Sequence, residues 1–132
     1  VLFGSSETER RPEIEELAAV YQAVQDEDPA EQDVILLGDF NFPPQDEGFS
    51  RLKAIPGMVF LIAAPVKTTI TDTSLYDNFW FQQQYAREYA GECGVERFDE
   101  TIFEGDDRVA SKTVSDHRPI WAKFNTSGLD DD

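Results

Sequence analysis

Two short stretches hold most of the residues able to do chemistry. Gly38-Asp39-Phe40-Asn41 offers a carboxylate and an amide in quick succession, and Ser115-Asp116-His117-Arg118-Pro119 sets another carboxylate beside the only histidine of the chain. Oxygen donors and one imidazole are groups that hold a hard divalent cation and move protons. Each stretch alone has an ordinary explanation. A Gly-Asp pair is a common Asx turn after a core strand, and a lone histidine is more often a hydrogen-bonded structural residue than a catalyst. Their presence together in one chain points to a site.

The elements that must position these groups are legible nearby. Asp33-Val34-Ile35-Leu36-Leu37 is a continuous aliphatic run, which predicts a strand buried on both faces. Asp39 and Asn41 would then stand on the same side of the chain at the mouth of a sheet. Pro119 disfavours helix at Arg118. Beyond it, Ile120, Ala122 and Phe124 alternate with Trp121 and Lys123, predicting a half-buried strand.

A third stretch, Ser74-Leu75-Tyr76-Asp77-Asn78-Phe79-Trp80-Phe81, places Leu75, Asp77, Phe79 and Phe81 on one strand face and Tyr76, Asn78 and Trp80 on the other. A carboxylate among apolar neighbours is costly to bury without a partner. Gly38-Asp39-Phe40-Asn41, Tyr76-Asp77 and Ser115-Asp116-His117-Arg118-Pro119 resemble, in content and order, three signature motifs of the endonuclease/exonuclease/phosphatase superfamily, the DNase I-like group. The resemblance spans roughly residues 1–125 and covers the C-terminal half of that family's catalytic domain.

The resemblance implies a divalent-metal-dependent phosphoric ester hydrolase. Asp39 would orient or deprotonate the attacking water, and Asn41 would hydrogen-bond the phosphate. Asp116 would bind the metal or lie close to it. His117 would contact the scissile phosphate, oriented and kept cationic by Asp77. Metal contacts are expected among Asp39, Asn41, Asp116 and His117. Oxygen donors with one imidazole and no cysteine set suit Mg²⁺ or Mn²⁺ better than zinc. The family's early Asn, metal-binding Glu and upstream His belong to its N-terminal half, so this chain is expected to carry about half a site and little activity alone.

The resemblance also implies an α/β (α+β) sandwich, a four-layer DNase I-like fold. This half should supply a mainly β core, mostly one sheet, flanked by two or three helices. Residues 1–126 would be the C-terminal portion of such a domain and 127–132 a disordered acidic tail. An exposed sheet face would favour self-association or pairing with the N-terminal half of the same domain. The chain starts at Val1, within what reads as a strand, and is expected to be a cut chain.

Composition limits the alternatives. A chain of 132 residues with 40% hydrophobic content and 10 Phe can bury a real core. Cys93 is the one cysteine, so no intrachain disulfide can form. No apolar run is long enough to span a membrane. With 11 basic and 27 acidic residues the net charge is −16, which repels a phosphate backbone. DNA is therefore only one candidate among the phosphodiesters. The charge also keeps open an alternative, a non-catalytic acidic interaction module.

Elsewhere, Ser6 or Thr8 is expected to cap a helix whose Ile14, Leu17, Ala18, Tyr21 and Val24 share a face, with Pro12 tolerable in the first turn. With strands at Val1-Leu2-Phe3 and Asp33 this makes an α/β crossover. Asp46–Ala54 predicts a short helix with Phe49 and Leu52 inward, and Gly57–Ile62 a strand. Gln82–Tyr89 has helical propensity broken by Gly91 and Gly94, and Glu104–Arg108 reads as a polar turn.

Overall fold

In a computed structural model that describes residues 4–127, the chain opens on helix α1 (Glu7–Glu27). The Ser6 hydroxyl accepts the Glu9 amide at 3.3 Å, while the Glu9 carboxylate accepts the Ser5 amide at 2.7 Å, so first-turn donors are met reciprocally. Thr8 lies inside the helix, and Pro12 stands one turn further in than expected. The helix continues through it because packing on one face outweighs one missing amide bond. Ile14, Ala18 and Tyr21 are buried, with Leu17 packed beside them. Val24 is not part of that face; it is half exposed.

Strand β1 (Leu36–Asp39) pairs antiparallel with β3 (Asp77–Gln82), and β3 pairs antiparallel with β2 (Met58–Phe60), giving the order β1-β3-β2. Between them lie a 3-10 turn (Glu47–Phe49) and the short helix α2 (Ser50–Lys53), which bury Phe49 and Leu52 as expected. The inner face of this sheet carries Leu36, Phe60 and Trp80. It packs on α1 and on the aromatic pair Phe40 and Phe49, whose ring centroids lie 5.7 Å apart. Phe49 stacks on Trp80 at 5.0 Å. Phe49→Ala should lower stability by about 3–5 kcal/mol, read as a shift of the urea unfolding midpoint at constant m-value.

A second sheet pairs β4 (Tyr89–Val95) with β5 (Ile120–Phe124) in antiparallel register. Phe81 of β3 meets Tyr89 and Phe124 here, at ring distances of 5.4 and 6.2 Å. Helices α3 (Phe98–Thr101) and α4 (Asp107–Thr113) connect the two strands and bury Phe98 and Ala110 against Ile70. Among the described residues the architecture is mixed, with two small sheets and four α-helices where two or three helices were expected, compatible with an α+β fold.

Further expectations are corrected. Glu104–Arg108 is a turn only as far as Asp106, whose carboxylate accepts the Val109 amide and caps α4, so Asp107 and Arg108 are helical. The run at Asp33–Leu37 is not buried on both faces: β1 starts only at Leu36, and Leu37 is 60% exposed because nothing among the described residues covers its side of this edge strand. The stretch after Gln82 is not helical. It turns directly into β4, where Gly91, at φ +78°, supplies the irregularity between Tyr89 and Cys93 that a bulge needs, and where Gly94 lets the Trp121 indole approach closely. The β structure is divided between two sheets rather than concentrated in one. The alternation after Pro119 holds along β5. Val1-Leu2-Phe3, and with it the crossover, lies outside the described residues, as does most of the acidic tail, residues 128–132.

Candidate active site

The β1–β3 register sets Asp39 directly opposite Asp77, on the sheet face that also carries Leu37, Phe79 and Phe81. Facing carboxylates repel unless something cationic shares the space. His117 does so: its Nδ1 lies 2.8 Å from Asp77 Oδ2. A carboxylate only accepts, so Nδ1 carries the shared proton and Nε2 is left for another partner. One ligand atom from each of Asp39, Asp77 and His117 falls within 4.8 Å of the others, a possible Asp/Asp/His metal site.

The local chain geometry explains how Asp39 is held. Gly38 has φ +143°, a region that side chains rarely adopt, and turns the strand end just before the acid. Asn41 follows in the left-handed region at φ +52°. Its backbone amide donates to Asp39 Oδ1 at 2.8 Å and its side-chain amide to Asp39 Oδ2 at 2.9 Å. Asn41 therefore reaches the cluster through Asp39, in an Asx turn that orients the carboxylate.

His117 is fixed by backbone pairing. It forms an isolated antiparallel bridge with Thr69, flanked by Ile70 N donating to Asp116 O at 3.0 Å and Arg118 N to Thr68 O at 2.7 Å. Burial pulls its pKa down, but the hydrogen bond its ring donates to Asp77 and the negative charges of Asp77, Asp39 and Asp116 outweigh that, so the net shift is upward. Asp116 is exposed, and its carboxylate stands outside the three-residue group; it acts on His117 through charge.

Three further residues shape the site without any motif having singled them out for a role. The fully buried Thr68 hydroxyl accepts the amides of Tyr76 and Asp77 at 3.0 and 3.2 Å. Asn78 binds Leu61, Ile62 and its own strand through its side-chain amide. Arg118 is buried against Asp99, with Nε and Nη2 donating at 2.8 and 2.6 Å. The signal for Thr68 was its place in a Thr-rich segment before the Tyr76-Asp77 strand; Asp99 gave none.

The comparisons bear on this geometry. No protein-family model matches the chain. A curated protein from Thioalkalivibrio sp. (strain K90mix), named Deoxyribonuclease, is 28% identical to it over 139 aligned positions. The alignment covers 99% of this chain and 38% of that relative's length. A nuclease-like relationship is possible. No described helix is long and apolar enough to cross a membrane.

Acid should weaken the ion pairs around Arg118. Hydrogen bonds from Arg118 and then Arg97 hold the Asp72 carboxyl down at about 2. A depressed carboxyl contributes stability that is present above its unfolded pKa and is lost as pH falls through the folded value. Between pH about 4 and about 2 the urea midpoint should therefore fall less steeply in Asp72→Asn than in the unsubstituted chain. Because Asp72 is half exposed, solvent keeps the effect small.

Proposed function

We propose that the chain is part of a divalent-metal-dependent phosphoric ester hydrolase acting on phosphodiesters, with DNA as the first substrate to test. The observation that carries this reading is the Asp39–Asp77–His117 cluster, with a histidine–carboxylate pair at one end and an amide-braced carboxylate at the other. The named relative makes nucleic acid the first choice. The chain covers 38% of that relative, so the activity is proposed for a polypeptide whose further sequence completes the site.

The donor set fits a hard cation. Asp39 keeps lone pairs beyond those used by Asn41, and a hexacoordinate Mg²⁺ or Mn²⁺ ordinarily keeps several waters beside one or two carboxylates. Asp39 is the proposed principal ligand on this chain, with Asn41 and Asp116 close by. Asp77 is better occupied as the partner of His117. When bound, such a cation supplies Lewis-acid neutralisation of the phosphoryl oxygens.

The residues do the remaining work. Asp39 accepts or orients the proton of the attacking water. His117 presents Nε2 to a phosphoryl oxygen, and its upward-shifted pKa increases the share of the cation near neutral pH. Asp77 fixes the ring and its protonation on Nδ1. Asn41 retains a second amide N–H for the phosphate.

The test is Mg²⁺- or Mn²⁺-dependent cleavage of a DNA phosphodiester by this chain and by the longer polypeptide containing it. The expected result is activity in the longer polypeptide that chelator removes and that Asp39→Ala abolishes. Silence in both would sink the reading. It would leave the acidic interaction module, which the net charge of −16 favours, to be tested by partner binding.

A further inference from the structure

Arg118 sits next to His117 in sequence but has no donor left for a substrate. Its guanidinium offers five N–H groups. Nε and Nη2 bind the two oxygens of Asp99 at 2.8 and 2.6 Å, and Nη1 binds Asp72 Oδ1 at 2.5 Å. Nη1 also reaches Thr69 O, and Nη2 reaches Ile70 O, each at 3.2 Å. The Arg118 and Asp99 side chains are each 1% exposed. A pair buried to that degree repays its desolvation only when its geometry is close to saturated, as here.

The carbonyls that Arg118 holds belong to the segment that pairs with His117. Thr69 bridges His117 directly, and Thr68 accepts the Arg118 amide through its carbonyl. The same Thr68 accepts the Tyr76 and Asp77 amides through its hydroxyl. One buried residue thus touches the backbone on both sides of the His117–Asp77 hydrogen bond. Asp99 ties this arrangement to α3.

We propose that Arg118, Asp99 and Thr68 form a buried bracket that positions the His117 ring against Asp77. Its consequence for turnover rests on the hydrolase reading; its geometric claim does not. These are positioning residues, since all three are buried beyond the reach of a phosphate.

The single histidine makes the test direct, because every imidazole signal in the nitrogen-15 spectrum of the full chain belongs to His117. The unsubstituted chain should show a downfield Nδ1–H resonance from the bond to Asp77. Arg118→Lys, which cannot reproduce the planar fork, and Thr68→Val, which removes the shared acceptor, should lose or broaden it while near-ultraviolet dichroism stays folded. Thr68→Ser should restore it. Phe49→Ala, destabilised in the other core cluster, should keep it.

In the longer polypeptide, kcat should fall about a hundredfold in Arg118→Lys and Thr68→Val at unchanged KM. Folded variants with an unaltered His117 resonance would overturn the bracket. So would failure of both variants to fold, since the group would then be a folding element and not a positioning one. A resonance that responds as expected beside a polypeptide that cleaves nothing would keep the bracket and remove the hydrolase reading. Cleavage lost in His117→Ala, with bracket variants untouched in both readouts, would do the reverse.

Discussion

His117→Ala is expected to lower metal-dependent phosphodiester cleavage by about 10³-fold, with the larger part of the loss in kcat. Removing one preorganised charge-stabilising donor costs about 10²–10³ in rate, and loss of a proton-transfer group costs about 10²–10⁴. Among the described residues no hydrogen bond is made by Nε2, whereas Nδ1 is committed to Asp77 at 2.8 Å, so the ring is held at one nitrogen with the other left for a ligand. Asp77→Asn should recover part of the wild-type rate but less than half of it, because the amide can still bond the ring but can no longer hold the cation. The measurement is steady-state cleavage with Mg²⁺ and with Mn²⁺ in the longer polypeptide. A His117→Ala rate within about threefold of the unsubstituted enzyme, far short of the expected loss, would remove His117 from the chemistry.

Asp99→Ala is expected to be the most destabilising single substitution near the site, at about 3–5 kcal/mol, because it strands a buried guanidinium. Arg118 would keep only Asp72, which lies half exposed, and two carbonyls. Its N–H groups facing Asp99 would have no acceptor. Chemical denaturation at neutral pH, with tryptophan fluorescence as the probe, reads this directly. Replacing both members with well-packed apolar residues of similar volume should recover much of the loss, because the pair's own net contribution is small beside the cost of breaking it. An Asp99→Ala midpoint equal to that of the unsubstituted chain would mean that Arg118 finds another acceptor or water.

What could be read from residues alone follows the range of the forces involved. The inward Phe49 and Leu52 turn and the alternation of Ile120, Ala122 and Phe124 were legible because burial periodicity is local. Asp39, Asp77 and His117 were legible as candidates because their motifs are unusual, and the structure brings these three within ligand distance. Their roles, with those of Asn41 and Asp116, are still proposals that the cleavage experiments decide.

Other features depended on contacts distant in sequence. Gln82–Tyr89 favours helix by local propensity, yet the following stretch pairs with β5 about thirty residues on, and strand pairing overrides propensity. Leu37 reads as core in any window, but its exposure depends on what covers the edge strand. Arg118 has the look of a substrate-binding cation. Only the approach of Asp99 and Asp72, 19 and 46 residues away, shows every donor already spent. The sequence by itself determined which groups are candidates for chemistry and, where periodicity is strong as in α1 and β5, which segments are helix or strand, since those follow from side-chain type and period. The tertiary structure alone decided which carboxylate faces the imidazole, and which cation is structural. Both depend on register and burial, which no local pattern encodes.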